Sequence, residues 1–422
     1  MNLRDRLNAH FKKNPDDVPP EPPHEGDSRT RLKLERLLRV TRPEGSEWAT
    51  ADPVPIERAL PGEVVDTPAG PAFRIVRSYA PDTPWGRVRL GDYLGLDRTA
   101  LARLGGDPRL SGLAPESLRF IDTETTGLAG GTGTYAFLIG VGEWKDDSVT
   151  VTQYLLRDFD EEPAVLSAFA GHLEPPAGLV TFNGKSFDLP LLETRRVMNR
   201  ADGAWLDLPH FDLLHPSRRI WKLRLVQCAL ARLEAGVLGV ERENDIDGAQ
   251  IPQVYFDYLR SGDARELARV VEHNRFDILS MFALLAHAVT LYHDAPDDLP
   301  APDLFSLGRL HHGHGDRETG REIMSRAVDS GMEENQEAQA LWHMAKAHRM
   351  AGEHDRAAEV WRRLVDLMPE DPSACVELAK HHEHRTGDLE QALEWVQRAK
   401  RAAGDLPELE HREARIRRKM GG

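Results

Sequence analysis

The chain has 422 residues, 40% of them apolar, and carries 54 basic against 69 acidic side chains, for a net charge of −15 at neutral pH. That length exceeds one ordinary core, so two or three domains are expected, and the acidic balance excludes a polycation that coats nucleic acid by bulk charge. Any nucleic-acid contact must be local, through a basic stripe or metal ions, while two widely spaced cysteines, Cys228 and Cys375, exclude a disulfide scaffold and fit a reducing compartment.

Residues 1–45, with "KKNPDDVPPEPPHEGDSRTR", are rich in proline and charge and read as a disordered arm without the apolar stretch of a signal peptide. Residues 46–115 are short apolar pieces broken by Pro and Gly, which predicts a small β-containing lead-in. From residue 116 to 295 the pattern becomes regular. "LRFID", "YAFLIGVGEW" and "VTVTQYLLR" predict a three-stranded meander; "EEPAVLSAFAGHL" has helical spacing, and "GLVTFNG" predicts a fourth strand ending in a turn. "FDLPLLETRRVMNR" returns to helical spacing with Pro190 near its start. Asp263 and Glu266 read as a capping box opening a long helix over "DARELARVVEHNRFDILSMFALLAHAVTLY". This order predicts an α/β domain on a mixed sheet flanked by helices. The apolar run "MFALLAHAVTLY" reads as too short to span a bilayer, so a cytoplasmic protein without a membrane is expected.

Residues 302–420 show no strand signal. Segments beginning at Gly315, Gly352 and Gly387 share a frame at offsets of 37 and 35 residues, close to the tetratricopeptide period. Ala357, Ala392, Ala399 and Pro369 fall where helical hairpins need small residues or a stop. Such an all-α repeat domain either binds a protein partner or braces the first domain. Because no motif residue lies beyond Asp277, the part before Pro302 is expected to fold without it.

The chemistry concentrates in three places. In "DTE", strand alternation aims Asp122 and Glu124 the same way, where a hard cation would relieve their repulsion. "FNGKSFDLP" sets Asp188 after a turn at Asn183 and Gly184. "HNRFD" puts His273 and Asp277 four apart, on one face of a helix. Four carboxylates from three elements, with one histidine, form the inventory for two divalent metals and a general base acting on a phosphodiester.

These residues resemble the DEDD exonuclease superfamily, of the ribonuclease H-like fold. The first motif is matched by Asp122, Glu124, Thr126 and Gly127, the second by Asn183, Phe187 and Asp188, the third by His273 and Asp277. "TGLAGGTGTYAFLIG", "DLLHPSRRIWK" and "HNRFDILS", with the repeats, look like the bacterial YprB-like branch, so the resemblance covers about residues 115 to 420. It implies a 3′–5′ exonuclease using two Mg2+ or Mn2+ ions, with Asp122, Glu124, Asp188 and Asp277 as ligands. His273 would be the general base or would orient a water or phosphate, because here a histidine occupies the spacing of the superfamily's tyrosine class. The alternative is a nucleic-acid-binding or scaffold module that recruits partners through its repeats with little or no catalysis.

Candidate substrate contacts are Thr125, Gly127, Asn183 and Lys185 in the two motif loops. The glycine-rich "GLAGGTGT" fits either close approach to a phosphate or sugar, or a plain hairpin loop. Arg195 and Arg196, then Arg218, Arg219, Trp221 and Lys222, could grip a single strand or 3′ end by charge and stacking. Asp212 reads as a fifth site acid or a helix cap. The histidine runs "HHGHGD" and "HHEH" lack a closing ligand set.

Overall fold

The protein is described by a computed structural model covering residues 52–127, 133–174, 177–201, 203, 205–404 and 406–421. The expected arm at residues 1–45 and the middle of the glycine-rich loop lie outside the described residues.

In chain order, a one-turn helix α1 (Ile56–Ala59) precedes the hairpin β1 (Gly62–Thr67) and β2 (Gly70–Tyr79) and a small ribbon of β3 (Pro84–Trp85) with β4 (Val88–Arg89). Helix α2 (Arg98–Gly105) is capped by Asp97, whose side chain accepts from the Ala100 amide. The meander follows as β5 (Leu118–Thr125), β6 (Ala136–Lys145) and β7 (Ser148–Leu155), all antiparallel as expected. Helix α3 (Glu162–Ala170) leads to β8 (Gly178–Thr181), α4 (Asp188–Asn199) leads to β9 (His210–Asp212), and both strands run parallel to β5. Pro190 is the third residue of α4, where its missing amide costs no helical bond.

These strands form one seven-stranded mixed sheet in the order β1-β2-β7-β6-β5-β8-β9. The expected lead-in is therefore not a separate small unit. β2 pairs with β7 over Phe73 to Tyr79, so the hairpin extends the same sheet, and Phe73 and Ile75 are buried in its core.

After β9 come α5 (Leu214–Leu225), α6 (Leu230–Leu233), a single π-turn at Glu234–Leu238, α7 (Ile251–Ser261) and the long α8 (Leu267–Asp294). α8 begins later than the capping-box reading placed it, and no side chain caps its start. Asp263 instead accepts from the Arg265 amide and pairs with its guanidinium, while the Ala264 amide donates to the Val54 carbonyl. By length and composition α8 could cross a bilayer, contrary to the shorter run expected, but 72% of its most apolar window is buried inside this fold.

α8 lies across one face of the sheet at close range. Gly140 and Gly142 in β6 make the approach possible: a Cβ at Gly140 would lie 2.3 Å from Asn274 Oδ1, and one at Gly142 would lie 2.5 Å from the Phe282 ring. Phe120 of β5 stacks on Phe282 with ring centroids 3.6 Å apart.

The remainder is helical: α9 (Ala301–Gly313), α10 (Arg317–Asp329), α11 (Glu334–Met350), α12 (His354–Leu367), α13 (Pro372–His381), α14 (Leu389–Ala403) and α15 (Pro407–Lys419). Ala357, Ala392 and Ala399 are fully buried where the hairpins close. One hydrophobic core runs unbroken from Phe120 and Trp221 through α8 into Phe305, Met324, Leu341 and Trp361. Buried Asp303 of α9 pairs with Arg224 of α5 at 2.8 Å, and Tyr292 of α8 stacks on His311 of α9 at 4.2 Å. The part before Pro302, expected to fold by itself, thus shares its core with the helices that follow.

Candidate active site

Asp122-Thr123-Glu124 lie in the last half of β5, just before Thr125, and strand alternation sends the two acids toward α8 and the threonine to the opposite face. Asn274 of α8 fixes Asp122: its Nδ2 donates to Oδ2 at 2.7 Å and to the main-chain carbonyl at 3.2 Å. Gln153 Nε2 in turn donates to Asn274 Oδ1 at 2.8 Å, which sets the orientation of the amide. From the other face, Thr123 Oγ1 donates to Asp188 Oδ1 at 2.6 Å, holding the first residue of α4 against the strand end. Asp277 comes down from α8, one turn beyond His273.

These four carboxylates sense one another. Burial, then the charges of Asp277, Glu124 and Asp188, push the Asp122 carboxyl well above its usual range. Burial, then Asp277, Asp188 and Asp245, do the same to Glu124. Burial raises Asp188 to about 6. Burial also raises Asp277, with the charges of Arg242 and His273 opposing. Burial opposes the charge of each of these carboxylates, a cost that a bound cation would offset, and an all-oxygen donor set suits a hard divalent ion. The donor chemistry therefore fits magnesium or manganese. Among the described residues, no three acid, histidine or cysteine side chains are already drawn together as a formed metal cage.

His273 is held by a residue absent from the sequence reading. Its Nδ1 lies 2.8 Å from Asp245 Oδ1, and its Nε2 lies 3.8 Å from Asp277 Oδ2. Burial opposes ionisation of Asp245, but the bond to His273 and the charges of His273 and Arg242 outweigh it and hold the carboxyl below its usual range. Arg242 is the second newcomer. Its Nε donates to Glu234 Oε2 at 2.7 Å and its Nη2 to Glu234 Oε1 at 2.5 Å. The same Nη2 donates to Asp277 Oδ1, and Nη1 pairs with Asp245 Oδ2 at 3.1 Å.

Asp212, read as a fifth site acid or a helix cap, binds main-chain amides, and its charge also acts on Asp188. Its carboxylate accepts the amides of Asn183 at 2.8 Å, Lys185 at 3.1 Å and Leu214 at 3.1 Å, clamping the loop before Asp188 to the start of α5. Asn183 sits in the left-handed region with φ 68°, as its turn role requires. Lys185 is exposed beside the site, and Phe187, immediately before Asp188, is 58% exposed. Thr125 Oγ1 donates to the Gly127 carbonyl at 3.0 Å; a Cβ at Gly127 would meet nothing.

The basic candidates fare differently. Trp221 is fully buried and stacks on His287 in the core, so it cannot stack on a base. Arg218, Arg219 and Lys222 are exposed on the outer face of α5, where Arg218 and Lys222 act on Cys228 and Arg219 acts on His314 rather than on the carboxylates. Arg195 is buried against Glu162 and over the Tyr135 ring, and Arg196 pairs with Glu193. The histidine runs are structural: His311 Nε2 donates to the Tyr292 carbonyl, and Glu383 gathers Arg412, Arg415 and Lys419.

Residues 119–289, which contain all four carboxylates, match the RNase_H superfamily. Residues 305–374 and 343–407 match the tetratricopeptide repeat. The chain is also similar to the uncharacterized protein YprB of Bacillus subtilis strain 168, at 29% identity over 334 residues that span 78% of each chain. The chain thus joins a domain of the RNase_H superfamily, carrying the carboxylate cluster, to C-terminal tetratricopeptide repeats.

Proposed function

We propose that this protein is a divalent-metal-dependent nuclease that removes nucleotides from the 3′ end of a nucleic-acid strand. The observation that carries the reading is the convergence of Asp122, Glu124, Asp188 and Asp277 at one strand end, each carboxyl raised by burial. These residues would hold magnesium or manganese, and a two-ion arrangement would call on all four. A bound divalent ion supplies a more acidic water and neutralises charge on the phosphate. His273, oriented by Asp245, accepts the proton of the attacking water. The water oxygen bonds to phosphorus, the bond from phosphorus to the 3′ oxygen breaks, and that oxygen takes a proton from solvent as the 5′-mononucleotide leaves. The 3′–5′ polarity rests on the resemblance of the three motifs to DEDD exonucleases. The repeats are a natural platform for a protein partner.

The test uses single-stranded DNA and RNA oligonucleotides labelled at either end, with magnesium, manganese or EDTA. The expected result is a ladder shortening from the 3′ end, abolished by EDTA and by Asp122→Asn. The scaffold reading predicts binding without cleavage. Absence of cleavage on every substrate with both metals, or cleavage that survives Asp122→Asn, refutes the nuclease assignment.

A further inference from the structure

Arg242 has no counterpart in the three motifs, yet it sits inside the carboxylate cluster. Its side chain is 8% exposed. It is anchored from behind by Glu234, which is fully buried in the π-turn and takes both Nε and Nη2. The guanidinium also lies over the Phe276 ring, 5.7 Å from its centroid. A fork held by a buried carboxylate and an aromatic face is a fixed group and not a swinging arm. The remaining capacity of Nη2 goes to Asp277, and Nη1 reaches Asp245, the residue that orients His273.

The consequence is an asymmetry among the four acids. Among the described residues, no ion pair reaches Asp122, Glu124 or Asp188, whereas Asp277 has Arg242 directly on Oδ1. A divalent ion at Asp277 would have to share that carboxylate with a resident cation. Moving Arg242 aside would leave Glu234 buried and unpaired, a heavy penalty for a charge with no access to water.

We propose that Arg242 is a resident cation of the active site: its guanidinium takes at Asp277 the place a second divalent ion would fill, so the site holds one divalent ion, at Asp122, Glu124 and Asp188. This rests on reading the cluster as a metal site, and it replaces the two-ion expectation with one ion and one arginine. Asp277 then acts as the partner of Arg242 and a neighbour of His273.

The test counts ions on the full chain without any activity measurement. Manganese is titrated into wild-type protein by calorimetry and by electron paramagnetic resonance, with and without a nucleoside 5′-monophosphate. Wild type should bind one ion in both cases, and Asp122→Asn should lose it. The double variant Arg242→Gln with Glu234→Gln removes both charges of the anchoring pair while retaining hydrogen-bonding atoms, with circular dichroism checking its fold. It should bind two ions. Two ions on wild type, with or without nucleotide, overturn the proposal and leave the metal-dependent reading standing. A folded double variant that still binds one ion also overturns it. No ion on wild type overturns both together. The wild-type count is decisive even where the double variant fails to fold.

Discussion

Replacing Asp188 with asparagine should stabilise the metal-free protein. Burial raises this carboxyl from the ordinary 3.8 to about 6. Between those values the folded protein holds a proton that the unfolded chain releases. Stability therefore falls as pH rises through about 6, and the penalty is complete above it. A shift of roughly two units corresponds to about 3 kcal/mol. Asparagine keeps an oxygen to accept the Thr123 hydroxyl, now 2.6 Å away. It gives up a favourable charge in the first turn of α4, worth about 0.3–1 kcal/mol. The net expectation is about 2 kcal/mol in favour of the variant in EDTA near neutral pH, a rise of a few degrees in Tm. The gap should close as pH falls through about 6, where the wild-type group protonates. With manganese the order should reverse, because only the intact ligand set gains the full stabilisation of binding. The assay is a thermal melt across a pH series, in EDTA and in manganese. A variant that melts below wild type in EDTA near neutral pH, or a gap that ignores pH, refutes the idea that burial penalises the Asp188 charge.

Two further outcomes are expected. His273→Ala should slow cleavage by about 10²–10⁴-fold, the range for loss of a general base, and His273→Tyr should retain more activity than the alanine variant; equal rates for wild type and alanine in the end-labelled assay would remove His273 from the reaction. Deleting residues 302–422 should give an insoluble or unfolded product, because it uncovers the apolar core shared with α5 and α8 and leaves Arg224 without Asp303; a soluble fragment with a cooperative melt would contradict this.

The legible parts of the site are those whose geometry is local in sequence. Asp122 and Glu124 share a face because a strand has period two, and His273 and Asp277 because a helix places residues four apart together. The meander was readable for the same reason. Arg242 and Asp245 were not, since "ERENDID" has no period and looks like any solvated charge run; its meaning comes from a contact 35 residues away, Arg242 to Asp277. Asn274 stood inside "HNRFD", three before Asp277, so its face was readable in principle. Trp221 is hidden by the basic composition around it, and only the helical period reveals its face. Ser217, Ile220 and Trp221 are buried along one face of α5, while Arg218, Arg219 and Lys222 lie on the other. The capping box failed for a different reason: Asp263 satisfies Arg265 first, so the helix starts only at Leu267.

α5 is where the two halves of the molecule meet. Its N-terminal end is tied to Asp212, which clamps the Asn183 and Lys185 amides in the loop that delivers Asp188. Near its C-terminal end, Arg224 pairs with Asp303 of the first repeat helix, and the Leu223 carbonyl accepts from Gln336 of α11. A single twelve-residue helix thus runs from the repeats to the loop that sets a proposed metal ligand. The buried core and the ion pair hold α5 at the repeat end, and the Asp212 clamp holds it at the Asp188 end. Bracing does not use up the repeat helices, since those that close the core are buried on one side only and their outer faces remain exposed.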